Sequence, residues 1–436
     1  MSFPRYPAYK PSGVEWLGEV PEHWASRRLG FFFAERREKV SDKNFEALSV
    51  TKDGIVPQLD TAAKTDDGDN RKCVRTGDFV INSRSDRKGS SGLSRLDGSV
   101  SLICTVLRPQ ESVQGGFIHH LLRSVSFQEE FYRFGKGIVA DLWSTNYSAM
   151  SEITLAMPPL EEQESIATFL DHETAKIDTL IAEQQRLIEL LQEKRQALIS
   201  HAVTKGLNPD APMKDSGVEW LGEVPEHWDV CRVKAVSVFT TSGPRGWSER
   251  VGDVGALFVQ SGDLTDAMDV DFANCKRVQV GDDAEAARTK LLDGDLVVCI
   301  TGAKTGNVAV CESVPESSYV NQHLCLIRPG EGVHPRFLAA LLKSGCGQTY
   351  FSLAQYGLKQ GLSLEDVREA PVALPTLDEQ DYICQWLRGV SSRYLPLEAE
   401  SQRTISLLQE RRSALISAAV TGQIDVRGLV PQASTA

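Results

Sequence analysis

The sequence predicts an α+β protein with two globular domains in tandem, each followed by a long helix. We expect the two helices to pair as an antiparallel coiled coil with pseudo-twofold symmetry. Three observations support this prediction. A short N-terminal segment occurs twice, a helical segment occurs twice, and the stretches between them are rich in strand patterns and in Gly and Asp turns.

The repeated N-terminal segment is thirteen residues long. Ser12–Trp24 and Ser216–Trp228 both read SGVEWLGEVPEHW, at an offset of 204 positions. The repeated helical segments are Leu190–Thr204 and Leu407–Thr421, which read LLQEKRQALISHAVT and LLQERRSALISAAVT at an offset of 217. Between these matched ends the two copies share few residues. This pattern indicates two halves with a common frame and different surfaces.

Residues 161–204 contain neither Gly nor Pro and predict one long helix. Apolar residues at alternating spacings of four and three predict a coiled-coil seam. The seam includes Ile177, Ile181, Ile188, Leu191 and Leu198 in the first copy, and Ile405, Leu408 and Leu415 in the second. Gly389 and Pro396 interrupt the second copy, so we expect a bend or break near Pro396. The alternative to pairing is that each helix packs only on its own domain.

These signals divide the chain into six parts. We expect a first variable domain with its N-terminal segment at 1–157, a first helix at 158–206, a linker loop at 207–216, a second variable domain at 217–374, a second helix at 375–425 and a tail at 426–436. Near the end of each variable domain we expect one short helical pattern, at 116–134 and 335–354.

Composition excludes several classes of protein. With 41% hydrophobic and 24% charged residues the chain is globular, and no apolar stretch is long enough to span a membrane. Residues 1–13 lack the apolar core of a signal peptide, so we expect a cytoplasmic protein. The nine cysteines form no CxxC and the eight histidines form no HExxH, which argues against a zinc site.

The net charge of −12 argues against a nucleic-acid partner when taken over the whole chain. The charge is unevenly distributed, however. Between Arg71 and Arg95 there are seven basic and two acidic residues. We therefore expect a basic face on the variable domains, and the alternative is a solvated charged loop.

Common catalytic motifs are absent from the sequence. Gly302–Thr305 reads GAKT but lacks the glycines of a phosphate-binding loop, and no GxSxG occurs. Met157–Leu160 reads MPPL and lacks the Asn or Asp and the aromatic residue of an adenine methyltransferase motif. These absences favour a binding protein over an enzyme.

The thirteen-residue segments, the helix starts Met157–Gln163 (MPPLEEQ) and Leu374–Gln380 (LPTLDEQ), and the repeated helix ends closely resemble the specificity subunits of type I restriction–modification systems. The resemblance covers both repeats. It implies that each variable domain is a target-recognition domain that reads one half of a split, asymmetric site on double-stranded DNA, and that the helices set the spacing between the half-sites.

The resemblance also implies the partners. The chain is expected to bind two methyltransferase subunits, which use S-adenosylmethionine to methylate adenine, and two motor and nuclease subunits that use ATP and Mg²⁺. The chain itself is expected to hold no cofactor, metal or catalytic centre. The helices are the expected docking surface, near Glu162, Gln163, Glu379 and Gln380.

Base edges are read mainly by Arg, Lys, Asn and Gln, and hydroxyl side chains also contribute. In the first variable domain the candidates lie in the loop NSRSDRKGSSG, at Ser83, Arg84, Arg87, Lys88, Ser90 and Ser91. In the second they lie in the equivalent loop Thr301–Asn307, at Lys304, Thr305 and Asn307, with Arg245, Lys359 and Gln360 as weaker candidates. Any one of these residues can contact a phosphate instead of a base.

Two other classes of function remain open on the sequence alone. A scaffold whose variable domains bind polypeptides has the same repeat pattern, and its binding would be insensitive to salt. A cryptic or fused nuclease would cleave DNA by itself with a divalent metal.

Overall fold

The computed structural model describes residues 3–60, 68–84, 87–137, 143–315, 317–355 and 361–429. The chain forms two compact units, one of residues 1–184 with 403–436 and one of residues 185–402. Each unit therefore contains one variable domain and a part of both long helices.

The first variable domain has a mixed set of short elements. Its strands are β1 (Tyr9–Pro11), β2 (Glu19–Pro21), β3 (Ala25–Arg28), β4 (Phe33–Glu35), β5 (Lys39–Val40), β6 (Leu48–Thr51), β7 (Gly54–Pro57), β8 (Arg71–Val74), β9 (Phe79–Asn82), β10 (Ser91–Leu93), β11 (Gly98–Val100), β12 (Cys104–Pro109) and β13 (Thr154–Met157). Its helices are α1 (Leu29–Phe32), α2 (Gly115–Arg123), α3 (Val125–Arg133) and α4 (Tyr147–Met150), and the long helix α5 (Leu160–Lys205) follows.

The second variable domain has a similar order of elements. Its strands are β14 (Met213–Asp215), β15 (Glu223–Pro225), β16 (Asp229–Arg232), β17 (Ser237–Ser242), β18 (Val251–Gly252), β19 (Ala256–Val259), β20 (Lys276–Val278), β21 (Leu296–Cys299), β22 (Val308–Val310), β23 (Ser318–Val320), β24 (Leu324–Pro329) and β25 (Pro371–Leu374). Its helices are α6 (Val233–Val236), α7 (Ala284–Thr289), α8 (Pro335–Lys343), α9 (Gly345–Ala354) and α10 (Leu364–Arg368), and the long helix α11 (Leu377–Val420) follows.

The sheets show that the two domains share a frame. A four-stranded sheet has the order β10-β9-β12-β4 in the first domain and the matching order β22-β21-β24-β17 in the second. The pairs β1-β2 and β3-β13 recur as β14-β15 and β16-β25. The predicted α+β class is confirmed. The linker prediction is partly wrong, because Met213–Asp215 pairs with β15 as a strand.

The motif Gly-Asp that both copies retain has a structural explanation. Asp78 accepts a hydrogen bond from Arg36 Nε at 2.7 Å, and Asp295 accepts one from Arg328 Nε at 2.8 Å. Each carboxylate also accepts the backbone N–H of the residue three positions earlier, at 2.8 Å. Both carboxylates are buried, so the motif holds the turn that leads into the central strand of the sheet.

The core explains why the repeated segments stayed alike. In the first unit Trp24 is buried together with Leu415 and Val420 from the end of α11. In the second unit Trp228 is buried together with Ile199 and Val203 from the end of α5. Each thirteen-residue segment thus packs against one of the two repeated helix ends, and a change on either side alters the same buried contact.

The long helices pair antiparallel within each unit, as predicted. In the first unit Asp178 of α5 binds Arg412 Nε of α11 at 2.8 Å. In the second unit Arg195 of α5 binds Glu398 of α11 at 3.1 Å. The predicted seam residues face inward: Ile177, Ile188, Ile405 and Leu415 are buried, and Ile181, Leu191, Leu198 and Leu408 are half-buried.

Two predictions about helix continuity are wrong, the break at Pro396 and the single short helix near the end of each variable domain. Helix α11 does not break at Pro396 but continues through it. The proline ring fixes φ at a helical value, and the buried side chains of Tyr394 and Ser401 hold the helix on both sides. Conversely, each short helical pattern is two helices, separated at Ser124 and at Ser344. Each serine hydroxyl caps the second helix by accepting a backbone N–H three residues later.

Candidate nucleic-acid interface

Two loops occupy equivalent positions in the four-stranded sheets. The first loop, residues 83–90, joins the antiparallel strands β9 and β10, and the second loop, residues 300–307, joins β21 and β22. The equivalence predicted from the sequence is therefore also one of position in the sheet. The two loops have different side chains on the same support.

A glycine ends each turn in the left-handed conformation. Gly89 has φ +82° and Gly306 has φ +89°. A Cβ atom on Gly89 would lie 3.3 Å from Gln128 Oε1, and one on Gly306 would lie 2.9 Å from Gln348 Oε1. The positive backbone angle favours glycine at both positions, and each loop lies against a glutamine, Gln128 of α3 or Gln348 of α9.

The first loop exposes its cations and buries its serines. Arg84, Arg87 and Lys88 are exposed. Ser83 is 8%, Ser90 7% and Ser91 0% exposed, and Ser83 Oγ lies 3.1 Å from Thr105 Oγ1 inside the sheet. The three serines are therefore corrected from DNA contacts to parts of the hairpin, because their side chains are buried within the domain.

Fewer basic side chains between Arg71 and Arg95 are available to bind DNA than the count of charges in the sequence suggests. Arg71 is 5% exposed, and its guanidinium donates to Ser99 Oγ at 2.8 Å. Lys72 binds Glu35 at 3.1 Å, and Arg75 binds Asp97 at 3.0 Å. These three cations stabilise the domain, so the expected basic face is reduced to the three loop cations and the exposed Arg95.

The second loop exposes a single cation. Lys304 is exposed, while Thr305 and Asn307 are half-buried and turn toward backbone carbonyls. Thr305 Oγ1 donates to Gly302 at 2.6 Å, and Asn307 Nδ2 donates to Leu264 at 3.4 Å. Thr305 and Asn307 therefore support the loop more than they project from it.

A neighbouring turn adds a residue that the sequence did not indicate. The exposed His323, between β23 and β24, lies 2.5 Å from Thr301 Oγ1 through its Nδ1 atom. Gln322 Nε2 lies 3.2 Å from His323 Nε2. This turn lies far from the second loop in sequence, and only the pairing of β21 with β24 brings the two together. No local sequence pattern therefore pointed to His323.

The weaker candidates are dispersed. Arg245 is exposed in the turn before a 3₁₀ helix at Trp247–Arg250, and Gly246 in that turn has φ +83°. Lys359 and Gln360 lie outside the described residues.

The residues at the helix starts bind the chain's own thirteen-residue segments. Glu162 is 6% exposed and accepts a hydrogen bond from Trp24 Nε1 at 3.0 Å. Glu379 accepts one from Trp228 Nε1 at 3.2 Å. The histidines that precede these tryptophans, His23 and His227, lie 2.7 and 2.8 Å from the same carboxylates.

The glutamines that follow are buried in the same way. Gln163 donates to the carbonyls of Ser112 and Pro158 and accepts the N–H of Gln114 at 2.8 Å. Gln380 makes the matching set of bonds to Gly332, Pro375 and His334. Because Glu162, Gln163 and Gln380 are buried, the expectation that they border a docking surface is corrected.

Other apolar side chains of the helices are exposed, and they repeat. In the first unit Leu160, Leu180 and Leu407 are 50%, 45% and 56% exposed. In the second unit the residues at the equivalent positions, Leu377, Leu397 and Leu190, are 49%, 49% and 46% exposed. The two units thus present matching leucines at the offset of 217 that relates the helices.

Within the described part of the chain, no cluster of three or more His, Cys, Asp or Glu side chains is suited to a metal ion. Of the helices in the described ranges, none is both long and apolar enough to cross a bilayer.

Comparison with known proteins gives a consistent result. The family model of the type I restriction modification DNA specificity domain matches residues 246–405. The chain is 22% identical to the type I restriction enzyme EcoKI specificity subunit of Escherichia coli strain K12, over 93% of this chain and 90% of that protein. It is 23% identical to the MjaVIII specificity subunit of Methanocaldococcus jannaschii, over 94% and 95% of the two chains.

A solved structure shows the same fold. A chain from a study of assembly and conformational transition of the type I R-M system superposes with a TM-score of 0.68 at 17% identity, covering 92% of this chain and 98% of that one. The duplicated domains and paired helices agree with the comparisons in sequence. The chain is therefore similar, over more than nine-tenths of its length, to specificity subunits of type I restriction enzymes, and the DNA specificity domain of those systems matches residues 246–405.

Proposed function

We propose that each variable domain reads one half of a bipartite, asymmetric DNA site through the loop at the same place in its sheet. The observation that carries this proposal is the pair of equivalent loops. Both loops have a glycine with positive φ next to a glutamine of a helix, but their exposed side chains differ. A common frame with different loops suits two different half-sites in one duplex.

In this proposal Arg84, Arg87 and Lys88 contact one half-site, and Lys304 with His323 contacts the other. Arg and Lys donate to guanine in the major groove, and either can bind a phosphate instead. The net charge of −12 does not exclude DNA binding, because binding depends on the local charge of the contact surface and the cations of the loops are exposed.

We further propose that the helices dock two methyltransferase subunits, and that two motor and nuclease subunits complete the complex. The matching exposed leucines support this, because two copies of one partner need the same apolar contact twice. S-adenosylmethionine, ATP and Mg²⁺ would then act on those partners, and the chain would contribute recognition alone in the cytoplasm.

The loop assignment is tested by charge removal. In a complex with the methyltransferase, Arg84→Ala with Arg87→Ala should abolish recognition of one half-site and leave the fold intact. Lys304→Ala should weaken recognition of the other half-site. Arg27→Ala with Arg28→Ala removes the same charge from an exposed strand and serves as the control.

The readout is the methylated sequence motif in cellular DNA, with thermal unfolding as the check on folding. If the double loop variant methylates the same motif to the same extent as the unaltered chain, the assignment of the first loop is wrong.

A further inference from the structure

A basic pocket lies beside the first loop, inside the first unit. Its volume is about 430 Å³, and its lining includes Lys52, Lys88, His119, Arg123, Gln128 and Arg412. Four of these six side chains are cationic, and none of the residues that line the pocket is Asp or Glu. Lys88 and Gly89 belong to the first loop, so the loop forms one wall of this pocket.

The cations of the pocket are only partly neutralised. Arg412 is bound by Asp178 at 2.8 Å, and the adjacent His120 is bound by Asp171 at 2.7 Å. In the described part of the chain, no carboxylate forms an ion pair with Lys52, Lys88 or Arg123. Lys88 Nζ instead lies 5.3 Å from the centre of the Tyr132 ring, which leaves its ammonium able to bind an anion.

Arg123 is held in place by neutral partners. Its guanidinium donates to the carbonyl of Lys52 and lies 2.9 Å from His119 Nε2. Burial and the nearby Arg412 lower the pKa of Arg123, and the attraction of Asp53 opposes them in part. Burial and the charge of Arg123 lower the pKa of His119 to about 4, so this imidazole is neutral near pH 7.

The second unit has a pocket at the equivalent place, with a different balance of charge. Its volume is about 420 Å³, and Lys343 and Arg195 stand where Arg123 and Arg412 stand in the first unit. Its lining also contains Glu193 and Asp266. Arg195 is paired with Glu398 at 3.1 Å, and both side chains are 12% exposed. Of these two pockets, the first is therefore the one suited to an anion.

We propose that the pocket of the first unit receives a phosphate group of the DNA backbone, next to the bases that the first loop reads. This inference rests on the proposed function, because it places the phosphate on the strand that meets Arg84 and Lys88. A phosphate contact fixes the register of the protein on DNA and is independent of base sequence. The asymmetry between the pockets makes the first unit the stronger anchor.

The test uses the full chain in complex with the methyltransferase. The dissociation constant is measured at several salt concentrations, on one duplex that carries the methylated site and one that lacks it. Lys52→Gln and Arg123→Gln are the test variants, and Lys343→Gln is the matched control from the second unit. Lys52 is exposed, so its replacement leaves folding intact even if Arg123→Gln is unstable.

We expect Lys52→Gln and Arg123→Gln to weaken binding to both duplexes by a similar factor. The slope of log affinity against log salt should become shallower by about 0.9 for each phosphate that the variant no longer neutralises. Lys343→Gln should leave this slope unchanged.

Three results would overturn the proposal. One is an unchanged slope in folded variants, and the second is a loss restricted to the duplex that carries the site, which indicates base reading. The third is weaker binding of the methyltransferase with unchanged DNA binding, which indicates an acidic protein segment in the pocket. If the unaltered complex fails to distinguish the two duplexes, the proposed function fails, while the salt slopes still decide the role of the pocket.

Discussion

The indole N–H of Trp24 donates a hydrogen bond to Glu162 Oε1 at 3.0 Å, in the interior of the first unit. This contact ties the thirteen-residue segment to the first turn of α5. The same contact recurs between Trp228 and Glu379 at 3.2 Å. The repeated thirteen-residue segment therefore holds the start of each long helix against its own variable domain.

Replacing this carboxylate should destabilise the first unit. Glu162→Ala leaves the buried indole N–H without a partner, and we expect a loss of about 1–3 kcal/mol in the free energy of unfolding. Glu379→Ala is the control, and its effect should be smaller because the Glu379 side chain is 28% exposed and water can replace it. Urea denaturation of both variants measures the difference. Equal losses in the free energy of unfolding would contradict the expectation that the more buried carboxylate contributes more to stability.

The exposed leucines should decide how many methyltransferase subunits bind. Leu180→Glu with Leu407→Glu keeps good helix formers in α5 and α11 but removes the apolar contact of the first unit. Each leucine buried at an interface contributes about 1.5–3 kcal/mol, so the double variant should lose one of two bound subunits. Native mass spectrometry counts the subunits.

Two controls accompany this experiment. Leu397→Glu with Leu190→Glu makes the same change in the second unit and should also remove one subunit. Leu102→Glu alters a leucine that is 42% exposed on the first variable domain, and it should leave two subunits bound. Full binding by both double variants would refute docking at these leucines.

The helices should act as the spacer between the two half-sites. Inserting four residues into α5 after Gln184 and into α11 after Gln402 lengthens both by about 6 Å, and preserves their pairing within each unit. We expect both half-site sequences to be retained and the gap between them to grow. The same insertion in the linker at 207–212 lies outside both helices and should leave the gap unchanged. A constant gap in the helix variant would contradict the spacer role.

Much of the frame could be predicted because its signals are local or repeated. The prediction of a helix at 161–204 agrees with the observed Leu160–Lys205, since the absence of Gly and Pro and the seam spacing act within the helix itself. The pairing of two helices followed from the repeat. The break at Pro396 was wrong, because tertiary packing outweighs the loss of one backbone hydrogen bond.

The site was predicted less well because its residues depend on distant partners. Arg71 is buried and donates a hydrogen bond to Ser99, which is 28 positions away in sequence. Ser83 is buried beside Thr105 on the neighbouring strand. The exposed His323 joins the second loop only because strands β21 and β24 pair. A count of charges along the sequence does not include these contacts. It therefore overestimated the number of basic side chains exposed on the first variable domain.

The most direct test of the central claim is to co-express this chain with its methyltransferase and to sequence the cellular DNA for N6-methyladenine by single-molecule methods. We expect a split motif, with two short unequal blocks separated by unspecified bases and modified on both strands. A stable complex that adds no new methylation, or that modifies one continuous block, would contradict the account of two domains reading two half-sites.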